Sequence, residues 1–135
     1  MQVPEHLLYT REHQWVFPGD HGLVAVGVTD FFQRQMEEII FVERPPEGEL
    51  IAEGETLFLI ESGKTVYEFT SPLSGMLLEA NAEVIDRPGI INTDPYGRGW
   101  LIRVETTHVP RERLLSPGEY REFSAHFTYP LPPVT

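Results

Sequence analysis

The chain has 135 residues, of which 41% are hydrophobic and 23% charged, a balance that suits one compact domain and excludes disorder. Its formal net charge of −11, from 21 acidic and 10 basic residues, disfavours nucleic acid and anionic membrane, where affinity comes from neutralising phosphates. Cysteine is absent, which removes disulfides, thiolate nucleophiles and cysteine-based metal sites. No apolar run reaches the length of a membrane span. The opening Met1-Gln2-Val3-Pro4-Glu5-His6 has neither the basic nor the apolar segment of a secretory signal. A cytoplasmic monomer is expected, its acidic surface meeting basic patches on other proteins. Nine of the ten basic residues are arginine, and the tenth is Lys64.

In chain order, residues 1–20 mix aromatic and polar residues, with Tyr9 and Trp15 as anchors and Pro18-Gly19-Asp20 as a turn. Residues 22–28 are rich in valine and predict a strand. A short helix follows from Phe31 to about Glu38, opened by Thr29-Asp30 with Gln33 three positions on, in the manner of a capping box. Ile39 to Glu43 returns to strand and stops at Pro45-Pro46. Further short strands are expected at 49–52, 56–61, 65–70 and 76–80, separated by Gly- and Pro-bearing corners. Residues 86–99 read as loop, 100–104 as a last strand, and 112–115 and 119–123 as short helices. The pieces 49–61 and 68–83, on either side of Lys64, loosely echo each other as strand-turn-strand. Many short strands with tight corners predict a mainly β sandwich or barrel rather than βαβ units. The boundaries expected are one domain over 1–124 and a proline-rich tail over 125–135.

The central feature is Leu57-Phe58-Leu59-Ile60-Glu61-Ser62-Gly63-Lys64-Thr65-Val66-Tyr67-Glu68-Phe69. Two apolar β segments meet at a polar turn, where glycine can take positive φ without penalty. Such a hairpin presents the lysine amine to water at the end of a sheet, as an enzyme that modifies it requires.

At these residues the chain resembles glycine cleavage system H proteins. The resemblance runs through Tyr9-Thr10-Arg11-Glu12-His13-Gln14-Trp15-Val16, Val26-Gly27-Val28-Thr29-Asp30-Phe31, Ile40-Phe41-Val42-Glu43, Glu61-Ser62-Gly63-Lys64, Ser71-Pro72-Leu73-Ser74-Gly75 and Asn92 to Ile102, in the family's order. It implies a barrel-sandwich hybrid fold, like that of lipoyl domains, with short helices in the N-terminal third and at the C-terminus. It also implies a lipoyl carrier rather than an enzyme, with lipoate in amide linkage to Lys64. Glu61 and Gly75, three positions before and eleven after the lysine, occupy the family's lipoylation-recognition positions. The implied partners are a lipoate ligase or lipoyl synthase and the enzymes that use the arm. Biotin carriers place methionine on both sides of their lysine; here the neighbours are Gly63 and Thr65.

Three departures from the family pattern bear on the pathway. Gln14 stands where glutamate is usual, Glu68 occupies a second acidic position, and Gly63-Lys64-Thr65-Val66-Tyr67 replaces the usual small residues. In the family those acids face an arm with an aminomethyl cargo, so Gln14, Glu68 and Tyr67 are expected to shape the arm's groove. Loss of one acid suits an uncharged, sulfur-bearing arm. The expectation is therefore a carrier for a heterodisulfide-reductase-like sulfur-oxidation complex, with glycine cleavage as the alternative. The five histidines show no metal-ligand spacing, no Gly-x-Ser-x-Gly elbow exists, and Gly97-Arg98-Gly99 is too short for a phosphate loop.

Overall fold

The computed structural model describes residues 1–126. Nine strands are present among them: β1 (Leu8–Tyr9), β2 (Gln14–Pro18), β3 (Leu23–Val28), β4 (Ile39–Val42), β5 (Leu50–Ile51), β6 (Thr56–Ser62), β7 (Val66–Thr70), β8 (Gly75–Ala80) and β9 (Ile102–Glu105). Four short helices join them: α1 (Asp30–Met36), α2 (Ala82–Asp86), α3 (Ile90–Thr93) and α4 (Pro117–Ala125). The strands form a six-stranded sheet in the order β1-β2-β3-β9-β8-β5 and a three-stranded sheet β4-β6-β7, every pairing antiparallel. The expected mainly β architecture is present.

Alternation explains how the small sheet buries one face. Phe58 and Ile60 on β6, with Tyr67 and Phe69 on β7, point inward at 7% exposure or less, while Leu59, Glu61 and Glu68 take the opposite face. Phe58 stacks on Phe69 at 4.5 Å, and the Tyr67 ring meets Phe32 of α1 edge-on at 4.7 Å. Such pairs contribute about 0.5–1.5 kcal/mol each beyond their burial. The large sheet supplies Val24, Val26 and Val28 from β3 and Ile102 and Val104 from β9 to the same core. A second cluster, Leu7, Tyr9, Trp15, Phe31, Leu115 and Tyr120, seals the N-terminal segment against α4.

Local caps set the helices. The Thr29 hydroxyl, rather than Asp30, accepts from Phe32 N and caps α1, while Asp30 Oδ1 accepts from the Gln33 side chain. Helix α4 starts earlier than expected because Ser116 and Glu119 form a full capping box with Pro117 in the first turn. The segment read as loop contains α3, and α2 occupies the unassigned residues just before it. Residues 111–113 form a single 3₁₀ turn instead of the expected short helix. Of the expected tail, residues 127–135 lie outside those described; Ala125 still belongs to α4.

Candidate functional site

The turn between β6 and β7 is built by Ser62. Its backbone N–H donates to Thr65 O at 2.9 Å, and its hydroxyl accepts from the N–H groups of Lys64 and Thr65, both at 3.3 Å. Serine thus closes the corner with its side chain. Gly63 is not among the glycines with positive φ, which are Gly22, Gly48 and Gly54. The expected use of Gly63 is corrected accordingly: the turn runs on a serine hydroxyl rather than on a left-handed glycine.

Lys64 leaves this corner but does not project freely into water. Its Nζ pairs with Glu37 Oε2 at 2.5 Å, the two side chains being 46% and 67% exposed. Glu37 ends α1 with φ +62 and ψ −142, a combination that belongs almost entirely to glycine. Its backbone is pinned on both sides. Glu37 N–H donates to Gln33 O at 3.0 Å, and the Asn92 side-chain amide donates to Glu37 O at 2.7 Å. Asn92 Oδ1 meanwhile accepts from Ile39 N at 3.0 Å. Beside the ion pair lies a recess of about 280 Å³ lined by Met36, Glu37, Glu38, Ile40, Gly63 and Lys64. Ile40 and Phe41 are 55% and 47% exposed on β4, where the register with β6 shifts. Neither Glu37 nor Ser62 stood out in the sequence. No sequence signal marked Glu37, since the helix was expected to run on to about Glu38.

Glu61 is opposite Val66 in the hairpin register and opposite Phe41 across the other edge of β6. That places it on the outward face, half-buried, close behind the lysine turn. Glu68 is exposed two positions further along β7 than Val66. Gly75 belongs to the other sheet. A Cβ there would lie 2.3 Å from Glu105 O and 2.9 Å from a Val104 methyl, so β8 and β9 can approach closely only without a side chain at this position.

Gln14 and Tyr67 are both buried and serve as structural ties. Gln14 is 1% exposed; its Nε2 donates to Thr70 O at 2.6 Å, and its Oε1 accepts from the Thr10 hydroxyl at 3.1 Å. Tyr67 is 7% exposed, and its hydroxyl donates to Glu12 O at 2.8 Å. Burial and the Glu12 carboxylate push the Tyr67 phenol well above its ordinary value. The structure therefore joins Glu12, Gln14, Tyr67 and Thr70 into one network and places Lys64 with Glu37 in another.

No group of three or more metal-binding side chains occurs among the described residues, and no described helix is long and apolar enough to cross a membrane. The geometry is that of a presented amine on a hairpin, with no adjoining set of acid, base and nucleophile among the described residues.

The family described as Glycine cleavage H-protein matches residues 7–127. The chain belongs to the glycine cleavage H-protein family. It is 44% identical to the glycine cleavage system H protein of Herpetosiphon aurantiacus over 121 residues, covering 90% of this chain and 92% of that one. It is 40% identical to that of Carboxydothermus hydrogenoformans, covering 89% and 92%. The crystal structure of an H protein from Mycobacterium marinum superimposes with a TM-score of 0.84 at 37% identity, covering 91% of this chain and 99% of that one. The fold is thereby the barrel-sandwich of lipoyl domains, and H proteins are lipoyl carriers rather than catalysts.

These findings favour the alternative, glycine cleavage, and lend no support to the sulfur-oxidation expectation. The relatives are glycine cleavage proteins. The residue that motivated that expectation, Gln14, directs its amide to a backbone carbonyl, which a carboxylate could not serve as donor.

Proposed function

We propose that this protein is the lipoyl carrier of a glycine cleavage system, with lipoate in amide linkage to Lys64. The supporting observation is the placement of the sole lysine at the β6–β7 corner, half exposed beside a recess. The residues fit the group. A primary amine is available for acylation, the Ser62 turn fixes its root, and Ile40, 55% exposed, offers apolar surface to the hydrocarbon part of an arm. When bound, lipoate supplies a strained disulfide that a partner enzyme can open and another can restore. The chain's own work is presentation: strands β6 and β7 hold the attachment point, and tethering raises the cofactor's concentration at each docked partner. Glu61, outward-facing just behind the turn, is a contact for the enzyme that attaches lipoate, whether ligase or lipoyl synthase pathway. Glu68, on the partner strand β7, offers a carboxylate to a cationic cargo. A cytoplasmic monomer is part of this reading.

Intact-mass and peptide measurement of the protein from its native host, with Lys64→Arg as companion, tests attachment. A lipoyl group on the Lys64 peptide, absent from the variant, is expected; an unmodified wild type during growth on glycine sinks the proposal. Reductive aminomethylation of the lipoylated protein by glycine decarboxylase tests the pathway, and refusal of that cargo overturns the glycine cleavage assignment.

A further inference from the structure

Glu37 is the wrong residue for its backbone. The φ of +62 and ψ of −142 suit glycine, and a side chain there is strained. Asn92 and Gln33 hold the backbone through its carbonyl and N–H, so a glycine would accept the same clamps. What glutamate adds is a carboxylate, and that carboxylate lies 2.5 Å from the Lys64 amine.

We infer that Glu37 is a tether for the unmodified amine, setting how readily Lys64 is acylated and letting go when it is. The inference rests on Lys64 being the lipoylation site.

The chemistry gives the tether its direction. Acyl transfer from an activated donor such as an acyl-adenylate needs the neutral amine. Lys64 Nζ first loses a proton to solvent, then attacks the acyl carbon. The C–N bond forms, the bond from carbon to the phosphate oxygen breaks, AMP leaves with the electron pair, and the nitrogen releases a second proton. The Glu37 carboxylate attracts the ammonium and not the amide product, so it stabilises the start of this sequence alone. Once the amide forms, the positive charge is gone and the pair has no basis. The amine end of the side chain is therefore held against the end of α1 before modification and released after it. An exposed ion pair is a weak restraint; the tether tunes the rate and does not block it.

The test uses the full-length protein without any ligase, since Lys64 is the single lysine. Acetylation by an N-hydroxysuccinimide ester is followed by mass on the Lys64 peptide, apart from the N-terminal amine. Glu37→Gln and Glu37→Gly are each expected to raise the initial rate roughly twofold to fivefold, the range an exposed pair supports. Added salt should bring the wild type toward the variants while leaving the variants unchanged. Asp86→Asn, which removes one negative charge elsewhere on the surface, should leave the rate at the wild-type value. Equal rates for wild type and Glu37→Gln overturn the tether. Lipoylation by a purified lipoate ligase with lipoate and ATP should follow the same order; slower modification of Glu37→Gln would make Glu37 a ligase contact instead and overturn the restraint. Faster acetylation of the variants with no lipoylation of any of them leaves the tether standing and removes the carrier reading.

Discussion

The Gln14 amide nitrogen donates to the Thr70 carbonyl at 2.6 Å, fastening β2 of the large sheet to β7 of the lysine hairpin. A glutamate at this position would set a carboxylate against a carbonyl oxygen, two acceptors with no hydrogen between them. Gln14→Glu is therefore expected to lose about 1–3 kcal/mol of stability near neutral pH, recovered in part on acidification as the new carboxyl takes a proton. Urea unfolding at two pH values measures it. Unchanged stability would show that this bond does not fasten the two sheets.

Gly75 separates packing from recognition. Adding one methyl at a site where Glu105 O lies 2.3 Å away forces β8 and β9 apart, at a cost of about 1–3 kcal/mol. Gly75→Ala should lower the urea midpoint, while the lipoylation rate per folded molecule stays near the wild-type value. A fully folded variant that resists the ligase would show that glycine is read directly.

His13 makes stability fall in mild acid. It is 1% exposed, with Nδ1 2.8 Å from the Tyr120 hydroxyl and its ring stacked on Phe31 at 4.4 Å. Burial pushes its pKa down from the ordinary 6.5 to about 4. The folded state thus binds this proton less readily than the unfolded chain. The contribution is complete above pH 6.5 and is lost as pH falls toward 4, worth on the order of 3 kcal/mol at most. Asp30, held low by hydrogen bonds from Gln2 N and Gln33 and by Arg34, adds its own loss at still lower pH. Urea midpoints between pH 7 and pH 4.5 should decline in the wild type and decline less in His13→Leu.

The lysine hairpin was legible because it is local: an apolar alternation of period two, a polar corner and a second alternation need no distant partner to be recognised. The strand at 8–9 was not, because two residues make a strand only when Leu115 and Val16 are there to pair with them. Helices α2 and α3 escaped for a similar reason. Five- and four-residue helices depend on the Asn81 cap and the packing of Val84, Ile90 and Ile91 rather than on periodicity. At the site, Lys64 and its flanking strands could be found from the chain alone. The Glu37 conformation could not, since no sequence pattern announces a glutamate held where glycine belongs. Gln14 was visible as an unusual residue, but its meaning depended on Thr70, 56 positions away.

Through Asn92, one side chain of α3 sets where α1 stops and where β4 begins. The spacing between the carboxylate at 37 and the amine at 64 is consequently not written in either element. It is inherited from a segment that touches neither group chemically. Homologues that lengthen or shorten the 88–94 segment would shift that spacing with no change at the lysine hairpin itself. Comparing the hairpins alone would then misjudge how two such carriers behave.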